Sequence, residues 1–136
     1  MAFQIISDLH METHPSYDFE IKQTAPYLAL LGDIGHLEHD QFFPYLEELL
    51  TRYTAVFLLF GNHEPQNFTM EAARRRVLDF QDRISSSGNL GRFVFLSQTR
   101  YDVTDTLTIL GCTLYSHILP EQEAAVAKRM SDFRMI

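Results

Sequence analysis

Residues 55–64 have the sequence AVFLLFGNHE, an unbroken apolar run that is followed at once by a polar turn. An apolar run of this length, bounded by turn residues, predicts a strand that is buried on both faces, as in a parallel sheet. Two similar runs come earlier, at 3–6 and 27–31, and they end in Ser7-Asp8 and Gly32-Asp33. The sequence therefore predicts three strands, each with polar residues directly beyond its carboxyl end.

Helices are predicted between and after these strands. Asp40 is expected to cap the first helix and Thr69 the second, because each precedes an apolar stripe with helical spacing. Further strands are predicted at 93–96, 100–104 and 107–112, the last two forming a hairpin, and a short helical segment begins at Pro120. This alternation of strands and helices predicts an α/β fold with a mainly parallel first sheet.

Composition limits the classes of function. The chain has 136 residues, enough for one domain, and a net charge of −7, which argues against a surface that binds duplex nucleic acid. The basic run 74–76 is predicted to lie on a solvated helix face. No apolar stretch reaches the length that spans a membrane, so we predict a cytoplasmic protein. Cys112 is the only cysteine, which excludes an intramolecular disulfide, and it is predicted to be a buried, inert thiol.

The residues beyond the three strands include chemical groups that bind metals. Asp8 and His10 are two positions apart, so that in an extended chain both side chains point the same way and can hold one ion. Asp33 adds a carboxylate, Asn62 a neutral oxygen ligand, and His63 an imidazole that can transfer a proton. Each pattern alone also occurs in ordinary turns. Because ligands of open α/β sheets bind beyond the carboxyl ends of the strands, all of these groups are expected to converge.

In this order, the motifs D-x-H, G-D and G-N-H-E resemble those of the calcineurin-like metallophosphoesterase family. Residues 110–116, LGCTLYS, resemble the fourth stretch of its single-domain cytosolic members. The resemblance implies a two-sheet β-sandwich flanked by helices. It also implies an enzyme that hydrolyses a phosphomonoester or phosphodiester by means of a metal-bound hydroxide, with two divalent ions of the Mn, Fe, Zn or Co type.

The resemblance also implies a role for each residue of the site. Asp8 and His10 would hold the first ion, Asp33 would bridge both ions, and Asn62 would hold the second. His63 would act on the leaving group as the catalytic acid. The resemblance assigns no substrate-binding residue.

The chain departs from the family pattern after His63. The family has later histidines, two of them in a G-H-x-H motif, whereas this chain has only His117, without such neighbours. The first ion would keep three ligands and the second only Asp33 and Asn62, so one ion held by this chain is expected. His36 is the best alternative candidate, at a position where some relatives place a carboxylate that orients the catalytic histidine.

The missing motifs imply that residues 1–136 form one domain, truncated at its carboxyl side. A sheet edge or apolar face would then remain for a partner, a second copy of the chain or the missing half. The alternative hypothesis is a shortened protein of the same fold, weakly active or inactive, that binds one metal or a partner subunit. A serine esterase is poorly supported because the chain has no G-x-S-x-G motif, and neither Ser7 nor Ser116 has an evident base.

Overall fold

The structure is a computed structural model and describes residues 1–130. Strands lie at Phe3–Ile6 (β1), Tyr27–Leu31 (β2), Ala55–Leu59 (β3), Arg92–Leu96 (β4), Thr99–Thr104 (β5) and Leu107–Gly111 (β6). Helices lie at Phe42–Leu50 (α1), Met70–Ser85 (α2) and Glu123–Arg129 (α3), with short 3₁₀ turns at Met11–Thr13 and Pro120–Gln122. No helix among these residues is both long and apolar enough to cross a membrane.

The first four strands form one parallel sheet in the order β1-β2-β3-β4. Its register pairs Ile6 with Leu30, and Leu31 with Leu59, so the carboxyl ends of β1, β2 and β3 lie at the same edge. Strands β5 and β6 form a separate antiparallel hairpin. The prediction of an α/β protein with a parallel first sheet is therefore confirmed, as is the predicted hairpin.

The two faces of the sheet are covered differently, because successive side chains of a strand point to opposite faces. One face packs against α1 and α2 in the main core, where Leu30, Leu58 and Phe95 are buried. The opposite face packs against the hairpin, with Phe57 of β3 in contact with Tyr101. Strand β3 is buried almost throughout, as its continuous apolar sequence predicts.

The predictions for the two helix starts had different outcomes. Thr69 caps α2, since its hydroxyl accepts a hydrogen bond of 3.2 Å from the backbone N–H of Ala72. The prediction for Asp40 was wrong: α1 begins after Gln41, and this residue makes no side-chain cap bond within the described residues. A preceding turn takes over that role, because the Phe42 N–H donates to the carbonyl of His39 at 3.0 Å.

The basic run on α2 is exposed, as predicted for a solvated helix face. Arg76 also contacts neighbouring groups. Its guanidinium lies 5.1 Å from the ring centre of Phe68 and donates to the carbonyl of Leu37 at 3.2 Å. This arginine therefore helps to hold the loop that leads from β2 to α1.

Cys112 is exposed, so the prediction of a buried thiol was wrong. The apolar run around it belongs to an outer strand of which only alternate residues, such as Ile109, face the sheet. Cys112 lies one position beyond the end of β6, and its neighbours Leu110 and Leu114 are 78% and 89% exposed. A continuous apolar sequence does not distinguish a fully buried strand from such an outer one.

Apolar side chains are also exposed at the other side of the sheet. Ile5 lies on the edge strand β1 and is 65% exposed, and Leu31 at the end of β2 is 41% exposed. Among the described residues, the hairpin packs mainly against β3 and β4 and leaves this part of the face open.

Candidate metal centre

The loops that follow β1 and β2 run side by side beyond the ends of the strands. The backbone N–H of Asp8 donates to the carbonyl of Gly32 at 3.0 Å, and that of His10 donates to the carbonyl of Asp33 at 2.9 Å. Parallel pairing thus continues past the regular sheet. It brings the first two polar clusters of the sequence to one place.

The backbone at this place is strained. Asp8, His10 and Asp33 have φ angles of 57°, 47° and 55°, in the left-handed region. Side chains with a Cβ adopt this region at a cost of about 1–2 kcal/mol each. Such strain concentrates at functional sites, where the surrounding structure holds it in place. Of the five described non-glycine residues with positive φ, three are the predicted ligands of the first ion.

The same three residues can hold a metal ion. One donor atom from each of Asp8, His10 and Asp33 lies within 4.8 Å of the other two. Asp8 is exposed and the other two are half-buried, so the group is open to solvent on one side. Two carboxylates and one imidazole form a mixed O/N donor set that suits Mn, Fe, Zn or Co.

The turn after β3 is pressed against Asp33. The backbone N–H of His63 donates to Asp33 Oδ1 at 3.0 Å. A Cβ on Gly61 would lie 2.1 Å from the same oxygen, so this position must be glycine for Asp33 to come so close. Asn62, the predicted ligand of the second ion, is half-buried between Gly61 and His63. The structure thus brings the five predicted site residues to the same edge of the sheet.

Glu64 holds the last two loops together, a role that the sequence prediction missed. Its side chain is fully buried, and Oε1 accepts a hydrogen bond of 2.7 Å from the N–H of Ile34. Oε2 accepts hydrogen bonds from the N–H groups of Asp33 at 3.1 Å and Gly61 at 2.7 Å. Burial raises the pKa of Glu64, and these backbone donors oppose that rise. The glutamate of G-N-H-E therefore serves to position Asp33.

We expect Glu64→Gln to lower the free energy of unfolding by about 3 kcal/mol, because the amide would turn a donor toward a buried backbone N–H and weaken charge-assisted bonds. Urea unfolding monitored by circular dichroism measures the change. Glu20→Gln is the matched control, since Glu20 is an exposed loop residue. Equal stability of the two variants would show that the three backbone hydrogen bonds contribute little.

Glu12 is a second carboxylate that the sequence prediction missed. Its Oε1 lies 3.1 Å from Nδ1 of His10 and 2.8 Å from Nδ1 of His63. Nε2 of His36 is 3.9 Å from the same oxygen. Burial raises the pKa of Glu12, but hydrogen bonds from its own backbone N–H, His10 and His63, together with the nearby charge of His36, outweigh this effect, and the pKa is lowered. One carboxylate thus lies among three histidines.

Two buried atoms in this cluster have no hydrogen-bond partner among the described residues: Oε2 of Glu12 and Nε2 of His36. Unpaired buried polar atoms are costly, and they commonly indicate an ion or water that belongs at that point. His10, Glu12 and His63 also form a second group whose donor atoms lie within 4.8 Å of one another. The residues present therefore fit a centre that binds a divalent metal.

Of the remaining histidines, two are exposed and one packs against Tyr17, whereas His36 belongs to the cluster around Glu12. His14 and His117 are exposed. His39 packs edge-on against Tyr17, with ring centres 5.6 Å apart. His36, the alternative candidate, is half-buried beside His63, and burial lowers its pKa.

Comparison with solved structures identifies a similar fold. The crystal structure of the phosphopantetheinyl hydrolase from Mycobacterium tuberculosis matches 98% of this chain and 54% of its own, with a TM-score of 0.67 and 18% identity. The chain shares the fold of this hydrolase. Among curated proteins, an uncharacterized protein of Acanthamoeba polyphaga mimivirus is 25% identical over 142 residues, which cover 96% of this chain and 50% of that protein. No family model matches. The chain spans about half the length of both proteins.

Proposed function

We propose that this chain carries the metal centre of a metal-dependent phosphoesterase of the calcineurin-like type. The observation that carries the proposal is the convergence of the donor atoms of Asp8, His10 and Asp33 within 4.8 Å, with His63 directly beside them. A hydrolase of the same fold supports it, and the activity named for that enzyme makes a phosphopantetheinyl ester a substrate to test.

Asp8, His10 and Asp33 would hold the first divalent ion, and Asp33 with Asn62 would contribute to a second. Ions bound there would polarise the phosphoryl oxygens and make a water molecule nucleophilic at neutral pH. The carboxylates of Asp8 and Asp33 supply the negative charge that the cations require. Asp33 also contacts the backbone of His63, so a substrate bound at the centre would present its leaving oxygen near an imidazole.

His63 would donate the proton that the leaving alcohol needs. Its backbone N–H is fixed by Asp33, and its Nδ1 is fixed by Glu12. The ring therefore has its second nitrogen, Nε2, available for a substrate. General acid catalysis by a positioned histidine accelerates such reactions by about 10²–10⁴-fold.

We expect hydrolysis of nitrophenyl phosphate or bis(nitrophenyl) phosphate to depend on added Mn²⁺, Zn²⁺, Co²⁺ or Fe²⁺. Chelation should stop release of nitrophenolate, measured by its absorbance, and added metal should restore it. Nitrophenyl acetate is the control, because a serine esterase would cleave it without metal. Hydrolysis of the phosphate esters at an unchanged rate in chelator would contradict the proposal.

The second candidate function is a weakly active or inactive protein that binds a partner subunit. The exposed side chains of Ile5 and Leu31 favour it, because they leave apolar surface open beside the edge strand β1. Native mass measurements with and without Mn²⁺ distinguish the two cases. A dimer that is essential for turnover would indicate that a second copy supplies the missing ligands.

A further inference from the structure

Glu12 contacts the proposed metal site and the proposed acid with the same oxygen atom. Oε1 lies within hydrogen-bond distance of Nδ1 of His10 and Nδ1 of His63. The two rings are close to each other, with centres 4.5 Å apart in an edge-to-face arrangement. The carboxylate is 7% exposed, so bulk water does not compete strongly for it.

We propose that Glu12 is a positioning residue that sets the orientation and tautomer of both His10 and His63. An ionised carboxylate oxygen is an acceptor with more than one lone pair, so it can receive an N–H from each ring. Each ring then keeps a proton on Nδ1. Nε2 of His10 is left with a lone pair for a metal ion, and Nε2 of His63 can carry the proton that is transferred. This inference rests on the proposed function, because it gives each Nε2 atom a role in that reaction: metal binding for His10 and proton transfer for His63.

The two histidines need this arrangement for different reasons. A metal-binding imidazole is commonly fixed by a carboxylate on its other nitrogen, which sets the tautomer and raises the basicity of the ligand. A catalytic imidazole is fixed in the same way by the carboxylate of a triad. Here one carboxylate oxygen contacts both rings, so the orientation of the metal ligand His10 is tied to that of the proton donor His63.

The location of Glu12 in the chain distinguishes it from the predicted candidate. His36 occupies the position at which some relatives place an orienting carboxylate. A neutral imidazole is not equivalent there, because it lacks the negative charge with which a carboxylate accepts a hydrogen bond. Glu12 comes from the 3₁₀ turn Met11–Thr13 after β1 and reaches His63 across 51 sequence positions. Its carboxylate lies 3.9 Å from Nε2 of His36. A negative charge therefore lies beside His36, but a different loop supplies it.

The first test compares leaving groups. Nitrophenolate leaves without a proton, whereas an alkyl alcohol needs one, so loss of an oriented acid harms alkyl esters more. We expect Glu12→Gln to lower kcat for an alkyl phosphate ester by about 10–100-fold, the usual effect of losing such a partner, and to change kcat for the nitrophenyl ester about threefold or less. In the His63→Ala background and at saturating Mn²⁺, Glu12→Gln should lower kcat for the alkyl ester by about threefold or less, because only its effect through His10 remains. Glu20→Gln should leave both rates unchanged.

The second test needs no turnover. Imidazole ¹⁵N NMR of the metal-free protein should show the proton on Nδ1 of both His10 and His63. A neutral ring that carries its only proton on Nε2, in either histidine, would overturn the proposal. If the wild type hydrolyses neither ester while both tautomers are as expected, the proposed function fails and the geometry of Glu12 stands.

Two further outcomes, one in kcat and one in bound metal, would also overturn the inference. One is an equal loss of kcat for both esters in Glu12→Gln, which would indicate general damage to the site. The other is loss of metal at saturating Mn²⁺, which would place Glu12 among the ligands, in the group that it forms with His10 and His63. Retained Mn²⁺ stoichiometry with selective loss of alkyl-ester turnover supports the positioning role.

Discussion

Asp33→Asn is expected to abolish tight binding of divalent metal and to lower turnover of a phosphate ester by about a thousandfold. Asp33 is the proposed bridge between two ions, and the neutral amide removes the negative charge that this position requires. Metal ions stabilise transition-state charge by several kcal/mol, and about 4 kcal/mol corresponds to a thousandfold change in rate. Metal analysis after gel filtration and nitrophenolate release measure the two effects.

The substitution is chosen so that the fold remains. An asparagine oxygen can still accept the backbone N–H of His63, which donates to Asp33 Oδ1 at 3.0 Å. Asp105→Asn is the matched control, because Asp105 is exposed in the turn between β5 and β6. Unchanged metal affinity in Asp33→Asn would show that the ions bind elsewhere.

His63→Ala is expected to retain metal and to lose about 10²–10⁴-fold in kcat for an ester with a poor leaving group. The proposed role of His63 is proton donation, so the ligands Asp8, His10 and Asp33 remain intact in this variant. Loss of rate should be much smaller for the nitrophenyl ester, whose leaving group needs little protonation. Steady-state kinetics at saturating Mn²⁺ measure the loss of kcat for each of the two esters.

His14→Ala is the control for this variant, since His14 is exposed. Thermal unfolding should accompany the assay, because removal of the imidazole leaves Glu12 with one hydrogen bond fewer. Loss of Mn²⁺ from His63→Ala would contradict the role of an acid. It would favour instead the alternative donor group of His10, Glu12 and His63.

The sequence was sufficient for the strands that position the centre. The ranges predicted for β1 and β2 match those in the structure, and β3 is one residue shorter than its apolar run. Buried strands are specified locally, by a continuous apolar sequence and the turn residues that end it. Since parallel strands share one edge, their polar ends could also be predicted to meet. The predicted cap at Asp40 was wrong because the first N–H of α1, that of Phe42, already donates to the carbonyl of His39 in the preceding turn.

The supporting residues could not be predicted in the same way. Glu12 lies in a loop without any periodic pattern, and its contact with His63 depends on how two loops fold over one sheet edge. Glu64 was visible as part of a tetrapeptide, but its bonds to Ile34 and Asp33 join residues 30 and 31 positions apart. The order of the motifs suggests the metal ligands, whereas the groups that orient them depend on tertiary contacts.

The left-handed backbone at Asp8, His10 and Asp33 imposes a trade-off between stability and activity. Glycine adopts this conformation without the penalty of about 1–2 kcal/mol that a Cβ imposes. A search for more stable variants would therefore favour glycine at the three positions that supply the donor atoms. Selection for stability alone would erode the centre, so engineering of this protein should hold these positions fixed and seek its gains elsewhere.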